Sequence, residues 1–357
     1  MARPTTYQAY RRTTGPLPLT IEKVTENIPS SLDADEVLIR IHAVSLNFRD
    51  VAMLDGRYPL PFMERGIPAS DCAAEVVEIG SGVTDFKVGD RVINTIDLNN
   101  TTDEDEETPL ALGGEVEGVL SQFAVFKEKH LLHMPAHLSW EEVSSLSLSY
   151  YVHIIYRDVH TPASPPPHVG TGGVSTTALL LCLAAGIHPI ITSSSDTKLS
   201  ALLHKLALSS STTATIDSIS TINYRTHPAW EAEAKRLTGG RGVDIVLNNA
   251  GPTSLAQDVE ALAPRRGVVS VVGFLGGLEG GGGMDAGTVL RMMVKGASVR
   301  GVAGAPKSEV RRLNEFVEEK GVRFHAAIDR VFGFEEAVEA FGYLREGRHV
   351  GKVVVRM

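Results

Sequence analysis

At 357 residues the chain is long enough for two domains, because single hydrophobic cores stop growing at roughly 250 to 300 residues. Its 43% hydrophobic and 22% charged residues, with 34 glycines, exclude a disordered or fibrous chain and fit a soluble α/β enzyme. A formal net charge of -9 disfavours nucleic acid and anionic membrane surfaces as partners, both of which attract basic proteins, so a small molecule is the expected partner.

Only Cys72 and Cys182 are present, both in segments that read as buried, which excludes a disulfide framework and a cysteine-rich zinc site. The opening MARPTTYQAYRRTTG has no apolar leader core, and no run of about eighteen uninterrupted apolar residues occurs, so the expected location is cytoplasmic.

In chain order, EVLIRIHAVSLN, CAAEVVEIGSG, KVGDRVINTI and GVLSQFAVF alternate apolar and polar residues between turn formers and read as strands of an antiparallel, barrel-like domain. Residues 97–108, DLNNTTDEDEET, read as a solvated acidic loop. From about Trp140 the pattern changes. HPIITSSS, GVDIVLNNAG, GVVSVVGFLGG and ASVRGVAG read as strands; VSTTALLLCLAAG, DTKLSALLHKLA and PAWEAEAKRLTGG read as helices among them, the alternation of a doubly wound parallel sheet. GLEGGGG (277–283) reads as a flexible loop. Helices at SEVRRLNEFVEEKG and FEEAVEAFGYLREG and a strand GKVVVRM follow.

The stretch HVGTGGVS (168–175) has the small residues that let backbone N–H groups and a helix N-terminus approach a pyrophosphate, supplied by Gly170, Thr171, Gly172, Gly173 and Val174, with Ser175 at the third fingerprint position. About 20 residues on, where an NAD site has a carboxylate, stand Ser193, Ser194 and Ser195 with Lys198 behind them, groups that suit a 2′-phosphate. Asp196 starts the next helix and reads as its N-cap. The expected cofactor is therefore NADPH, against the alternative that the serines only form a polar turn.

The stretches SLNFRDVAMLDGRYP (45–59), VVEIGSGVTDFKVGDRV (76–92), LGGEVEGVLSQFAVF (112–126), GTGGVS, TINYR (221–225), LTGGRGVDIVLNNAGP, VVGFLGG and HVGKVVV (349–355) run in order over almost the whole chain. As an ordered set they resemble the medium-chain dehydrogenase/reductase superfamily, in its zinc-independent branch of quinone oxidoreductases and enoyl reductases. The resemblance implies an α/β chain with a GroES-like β-barrel domain at 1–133 and 306–357, a Rossmann doubly wound domain at 134–305, and NAD(P)H in the cleft between them. It implies hydride transfer from the nicotinamide to the β-carbon of an enone, enoyl or quinone substrate, then protonation of the enolate.

Zinc-dependent relatives need a Cys and a His where this chain has Asn47 and Ser70, and the structural zinc lobe is replaced by the acidic loop, so no metal is expected. Asn47 and Tyr58 are the candidate catalytic residues, as donors to the substrate carbonyl. Arg49 and Asp50 read as a local ion pair. By the resemblance, Tyr224 lies at the 2′-phosphate, Asn248 to Gly251 approach the ribose and nicotinamide, Gly273, Phe274 and Leu275 meet the carboxamide, and Lys352 lies near the cleft. ASVRGVAGA resembles the last Rossmann strand, which in relatives pairs across a two-fold axis, so the resemblance implies a homodimer.

Three departures from the family bear on activity. TPASPPP (161–167) stands where a strand feeds the glycine turn, and prolines lack the N–H that a sheet ladder needs; either a strand of two or three residues around His168 and Val169 holds the turn, or the turn is displaced. Val152, His153 and Ile154 stand where relatives have a Thr that bonds the nicotinamide end. LNNAG puts two amides at an acidic, glycine-rich strand end. A second class therefore stays open: a redox-silent cyclase, isomerase or binding protein acting on a polyketide-like molecule. Cofactor-induced stabilisation separates the two.

Overall fold

A computed structural model describes residues 4–102, 105, 107–146, 168–208, 218–265, 267–278, 284–302 and 304–357. The segment TPASPPP, residues 152–154 and most of GLEGGGG lie outside the described residues. Contacts divide the chain into two units, one of the residues up to 150 with 304–357, the other of 151–303. Among the described residues no helix is long and apolar enough to cross a membrane.

In the first unit β1 (Thr6–Arg12) and β2 (Ile21–Asn27) pair antiparallel. The centre is β3 (Glu36–Leu46), whose EVLIRIHAVSL is buried along nearly its whole length. It runs antiparallel to β4 (Asp71–Ile79), β6 (Phe123–Lys127) and β15 (Lys352–Arg356). The sheet continues from β4 to β5 (Arg91–Asn94) and β7 (Leu131–His133), and on its other side from β15 to β14 (Ile328–Gly333), which is parallel to it. Val37, Ile39, Val44, Val76, Leu120, Phe332 and Val353 share one core beneath this curved sheet. Cys72 is buried there and Cys182 in the other unit, and burial pushes both thiols up.

Helix α1 (Phe48–Leu54) follows β3 directly, and α2 (Trp140–Ser144) opens with a Ser139–Glu142 capping box. Glu142 also accepts from Arg323 (2.8 Å) and from the Phe324 and His325 N–H groups (2.8 and 3.1 Å), tying the C-terminal return segment to the barrel.

The second unit is a six-stranded sheet of β8 (His168–Val169), β9 (Ile190–Ser193), β10 (Ser220–Asn223), β11 (Ile245–Asn248), β12 (Val268–Val271) and β13 (Ser298–Gly301), in the order β10-β9-β8-β11-β12-β13. All its pairs are parallel, and its order is that of the Rossmann fold. Its helices are α3 (Gly173–Ala184), α4 (Asp196–Leu208), α5 (Trp230–Leu237), α6 (Leu255–Ala261) and α7 (Ala286–Lys295). The run from Ser175 to Leu183 is buried on every side, as a helix apolar all round must be. The fold is thus the α/β combination expected, a barrel-type antiparallel unit and a doubly wound parallel one.

A strand does lead into the glycine turn. Among the described residues β8 makes two register pairs with β9 and one, His168 to Val246, with β11. Asp196 is the first helical residue of α4 and not its cap; Ser195 caps it, its Oγ accepting from the Lys198 N–H at 3.3 Å.

Candidate cofactor and active site

In a doubly wound sheet, ligands bind past the carboxyl ends of the strands where the strand order reverses, here between β8 and β11. The turn from Gly170 leaves β8 at that point and enters α3. Gly172 caps α3 in an extended conformation (φ -79, ψ 176), and a side chain there would meet nothing within 4 Å. The first-turn N–H groups of a helix lack intrahelical acceptors and carry the positive end of its dipole, and α3 has no acidic residue in that turn. Gly170, Thr171, Gly172, Gly173 and Val174 therefore form a seat whose chemistry fits a dinucleotide pyrophosphate.

The ends of β9 and β10 lie beside it. Ser193 pairs in register with Asn223; its Oγ is 3.5 Å from Thr171 Oγ1 and accepts from the Ser195 N–H at 3.3 Å. The Tyr224 N–H donates to the Ser193 carbonyl at 3.0 Å. The structure so brings Thr171, Ser193, Ser194 and Tyr224 to one corner, with Lys198 in the first turn of α4. Arg225 is exposed next to Tyr224 and makes no ion pair among the described residues. Sequence reasoning passed over it, although TINYR carried the signal: a cation one position beyond the tyrosine.

At the end of β11 the side chains turn inward. Asn248 Oδ1 accepts from the Gly251 N–H (2.6 Å), while its Nδ2 donates to the Gly251 carbonyl (3.0 Å) and to Asp258 Oδ2 (2.6 Å). Both N–H groups of the Asn248 amide are thus used within the unit. Asp258, on α6, also accepts from Ser254 Oγ (3.0 Å); burial pushes its carboxyl up to about 7 against the pull of those two donors. The Asn249 and Ala250 carbonyls accept from Leu275 (2.9 Å) and Gly276 (2.8 Å). Gly273 has to be glycine at this approach, since a Cβ would lie 2.9 Å from the Asn249 carbonyl oxygen. Phe274 is half-buried and Leu275 is 55% exposed.

The second cluster belongs to the barrel unit and follows from strand register. β3 ends at Leu46, opposite Val353, and Ser45 is opposite Asp71, so the next residue, Asn47, meets both Lys352 and Asp71. Asn47 caps α1: its N–H donates to Asp50 Oδ2 (2.8 Å). Its Oδ1 accepts from Lys352 Nζ (2.7 Å) and its Nδ2 donates to Asp71 Oδ2 (2.6 Å), with Ser70 Oγ at 3.5 Å. Lys352 Nζ lies 3.9 Å from Asp71, and both side chains are almost fully enclosed. Burial pushes Asp71 up to about 6, with Lys352 and Asn47 pulling it down, and the same burial lowers Lys352.

Asp71 is the functional-cluster residue that sequence reasoning missed. Lys352, placed near the cleft by resemblance, has its ammonium in this barrel cluster. Asp50 takes the Asn47 N–H and feels the charge of Arg49, which itself donates to the Leu112 carbonyl (2.7 Å) and to the Tyr58 hydroxyl oxygen (3.5 Å) and lies over the Tyr58 ring. Asn47 and Tyr58 are so connected through the first turn of α1.

Zinc chemistry does not suit this cluster. Asn47 and Ser70 offer only an amide oxygen and a hydroxyl in place of thiolate and imidazole, and the Lys352 ammonium already bonds the Asn47 oxygen, where it would repel a divalent cation.

Residues 33–136 match the model of the alcohol dehydrogenase GroES-like domain, and residues 219–355 match that of zinc-binding dehydrogenases. The chain is 33% identical over 337 residues to a zinc-type alcohol dehydrogenase-like protein of Schizosaccharomyces pombe, covering 92% of this chain and 93% of that one. It is 28% identical over 247 residues to a quinone oxidoreductase of Pseudomonas aeruginosa, covering 68% and 66%. A crystal structure of a protein described as an alcohol dehydrogenase from Sinorhizobium meliloti superimposes with a TM-score of 0.84 at 30% identity over the full length of both chains. Strand order, glycine turn and whole-length similarity agree: the chain belongs to the medium-chain dehydrogenase/reductase superfamily and is an oxidoreductase of the kind that works with a nicotinamide cofactor.

Proposed function

We propose that the chain is a zinc-independent, NADPH-dependent reductase of conjugated carbonyl compounds: enones, enoyl compounds or quinones. The observation that carries the reading is the composition of the corner formed by β9 and β10. Ser193, Ser194, Tyr224, Lys198 and Arg225 offer hydroxyls and cations where a 2′-phosphate needs them, and Asp196, the carboxylate that follows the serines in sequence, is exposed at the start of α4. The quinone oxidoreductase relative supports the substrate class.

Gly170 to Val174 would hold the pyrophosphate of a reduced nicotinamide cofactor, which would supply the hydride for the β-carbon of the substrate. The protein's own contribution is to stabilise the oxygen on which charge develops. The Tyr58 oxygen accepts from Arg49, which polarises its O–H as a donor toward such an oxygen. Asn47 has its amide orientation set by Lys352 on one side and Asp71 on the other, which makes it a rigid element beside that donor.

The chain is further proposed to form a homodimer. β13 is the edge strand of the Rossmann sheet, and Leu290, Met293 and Val294 of the neighbouring α7 are exposed at 60%, 73% and 78%. Sedimentation of the wild type and of Met293→Glu tests it: a dimer that dissociates in the variant is expected, and a wild-type monomer overturns it. A cytoplasmic site of action accords with two buried free thiols.

The test of function is thermal unfolding with NADPH or NADH, followed by NADPH oxidation with a benzoquinone and an enoyl thioester. NADPH should raise the Tm more than NADH, and Lys198→Ala should weaken NADPH about tenfold while leaving NADH unchanged. If neither nucleotide shifts the Tm and turnover proceeds without one, the chain belongs to the redox-silent class.

A further inference from the structure

The two adjacent amides in LNNAG have a use that the reaction does not explain. Asn248 closes the 248–251 turn on itself and is backed by the buried Asp258. One residue on, Asn249 Nδ2 donates to Ser175 Oγ at 3.2 Å, in the first turn of α3. Ser175 is 2% exposed, and its Oγ would lie 3.2 Å from a Cβ at Gly170, so it sits against the start of the glycine turn. Among the described residues β8 pairs with β11 at His168 and Val246. The side-chain bond from Asn249 to Ser175 adds a link between the first turn of α3 and the end of β11.

We propose that Asn249 and Ser175, backed by Asn248 and Asp258, form a side-chain clamp that ties the start of α3 to the end of β11 and positions the glycine turn for a dinucleotide. Asn249 and Ser175 are positioning residues: they set the direction of the α3 N-terminus relative to the zipped loops at 249–250 and 275–276. The clamp is a property of the free protein; only its effect on nucleotide affinity rests on the cofactor reading above.

Amide hydrogen exchange on the full chain without nucleotide tests it. Asn249→Ala and Ser175→Ala should each speed exchange at residues 174–178 by about fivefold, the equivalent of one hydrogen bond lost. The double variant should be no faster than either single one, because both remove the same bond. Ser175→Thr, which keeps the hydroxyl, should exchange like the wild type. Asp258→Ala should instead speed residues 249–251 and 275–276, with Asp258→Asn close to wild type. The NADPH Kd should rise about fivefold in Asn249→Ala with little change in Tm. Unchanged exchange at 174–178 in both single variants overturns the clamp, as does an additive double variant. If the wild type binds neither NADPH nor NADH, the cofactor reading falls, and the exchange rates still decide the clamp.

Discussion

In the barrel unit Asp71 accepts a 2.6 Å hydrogen bond from an asparagine amide; in the Rossmann unit Asp258 accepts one of the same length from another asparagine. Both aspartates are buried, at 0% and 2% exposure. They differ in what stands behind the amide. Behind Asn47 is the buried ammonium of Lys352, whereas behind Asn248 is only the backbone of its own turn. Burial raises both carboxyls, to about 6 where the ammonium is present and to about 7 where only neutral donors face the group. The same local motif therefore yields a charge-compensated cluster in one unit and a carboxyl poised to change protonation near neutrality in the other.

Removing the cation breaks the comparison most directly. Lys352→Met makes the Asp71 cluster resemble the Asp258 cluster, and should cost about 3 kcal/mol of unfolding free energy at pH 8 because it strands a buried carboxylate. The loss should shrink on acidification as Asp71 takes up a proton, and Asp71→Asn added to the variant should recover part of it. Denaturant titrations at two pH values check this; equal losses at pH 5.5 and pH 8 would remove the electrostatic explanation.

A smaller effect sharpens the other half. Asp258 rises from 3.8 in the unfolded chain to about 7 in the fold, so the folded state holds the extra proton between those values. Its contribution to stability is present in full in acid and is lost as the pH rises through 7, with a slope of at most about 1.4 kcal/mol per pH unit. Asp258→Asn should abolish this slope, and wild-type stability relative to that variant should fall between pH 5.5 and pH 8. A flat difference over that range would show that Asp258 does not titrate there.

The smallest effect concerns the seat of Asp71. Ala69, two positions earlier, is held at φ 67, where a Cβ is strained, with its carbonyl pressed against Gly118 and Gly113. Ala69→Gly should stabilise the barrel unit by about 0.5 kcal/mol, since relief of strain is partly offset by the greater freedom of glycine in the unfolded chain. The Rossmann turn should gain nothing from the equivalent relief, because its positive-φ position is already Gly251.

The architecture was legible wherever the periodicity was strong. EVLIRIHAVSL, IVLN and KVVVR are strands at the expected places, and the apolar VSTTALLLCLA is the buried helix after the glycine turn. Elements with weaker patterns were passed over. β1, β2 and β14 lie partly exposed, and α7 carries its apolar residues outward, so its Asp285 cap and left-handed Gly296 were the only signals, easily lost beside a glycine-rich run. In the site, the glycine turn and the serines were visible because their spacing is local. The Asn47–Asp71–Lys352 cluster was not, because Asn47 and Lys352 stand 305 positions apart.

By itself the sequence determined the two kinds of unit and the position of the glycine turn, because alternation, helical period and glycine spacing act over a few residues and need no partner elsewhere; the superfamily was legible only as an ordered set of resembling motifs. Only the tertiary structure decided how the turn is anchored and which buried charges meet. Strand register sets Lys352 beside Asn47, and the end of β11 sets Asn249 against Ser175. A hydrogen bond between residues far apart in sequence exists only when packing brings the two groups within about 3 Å and out of water.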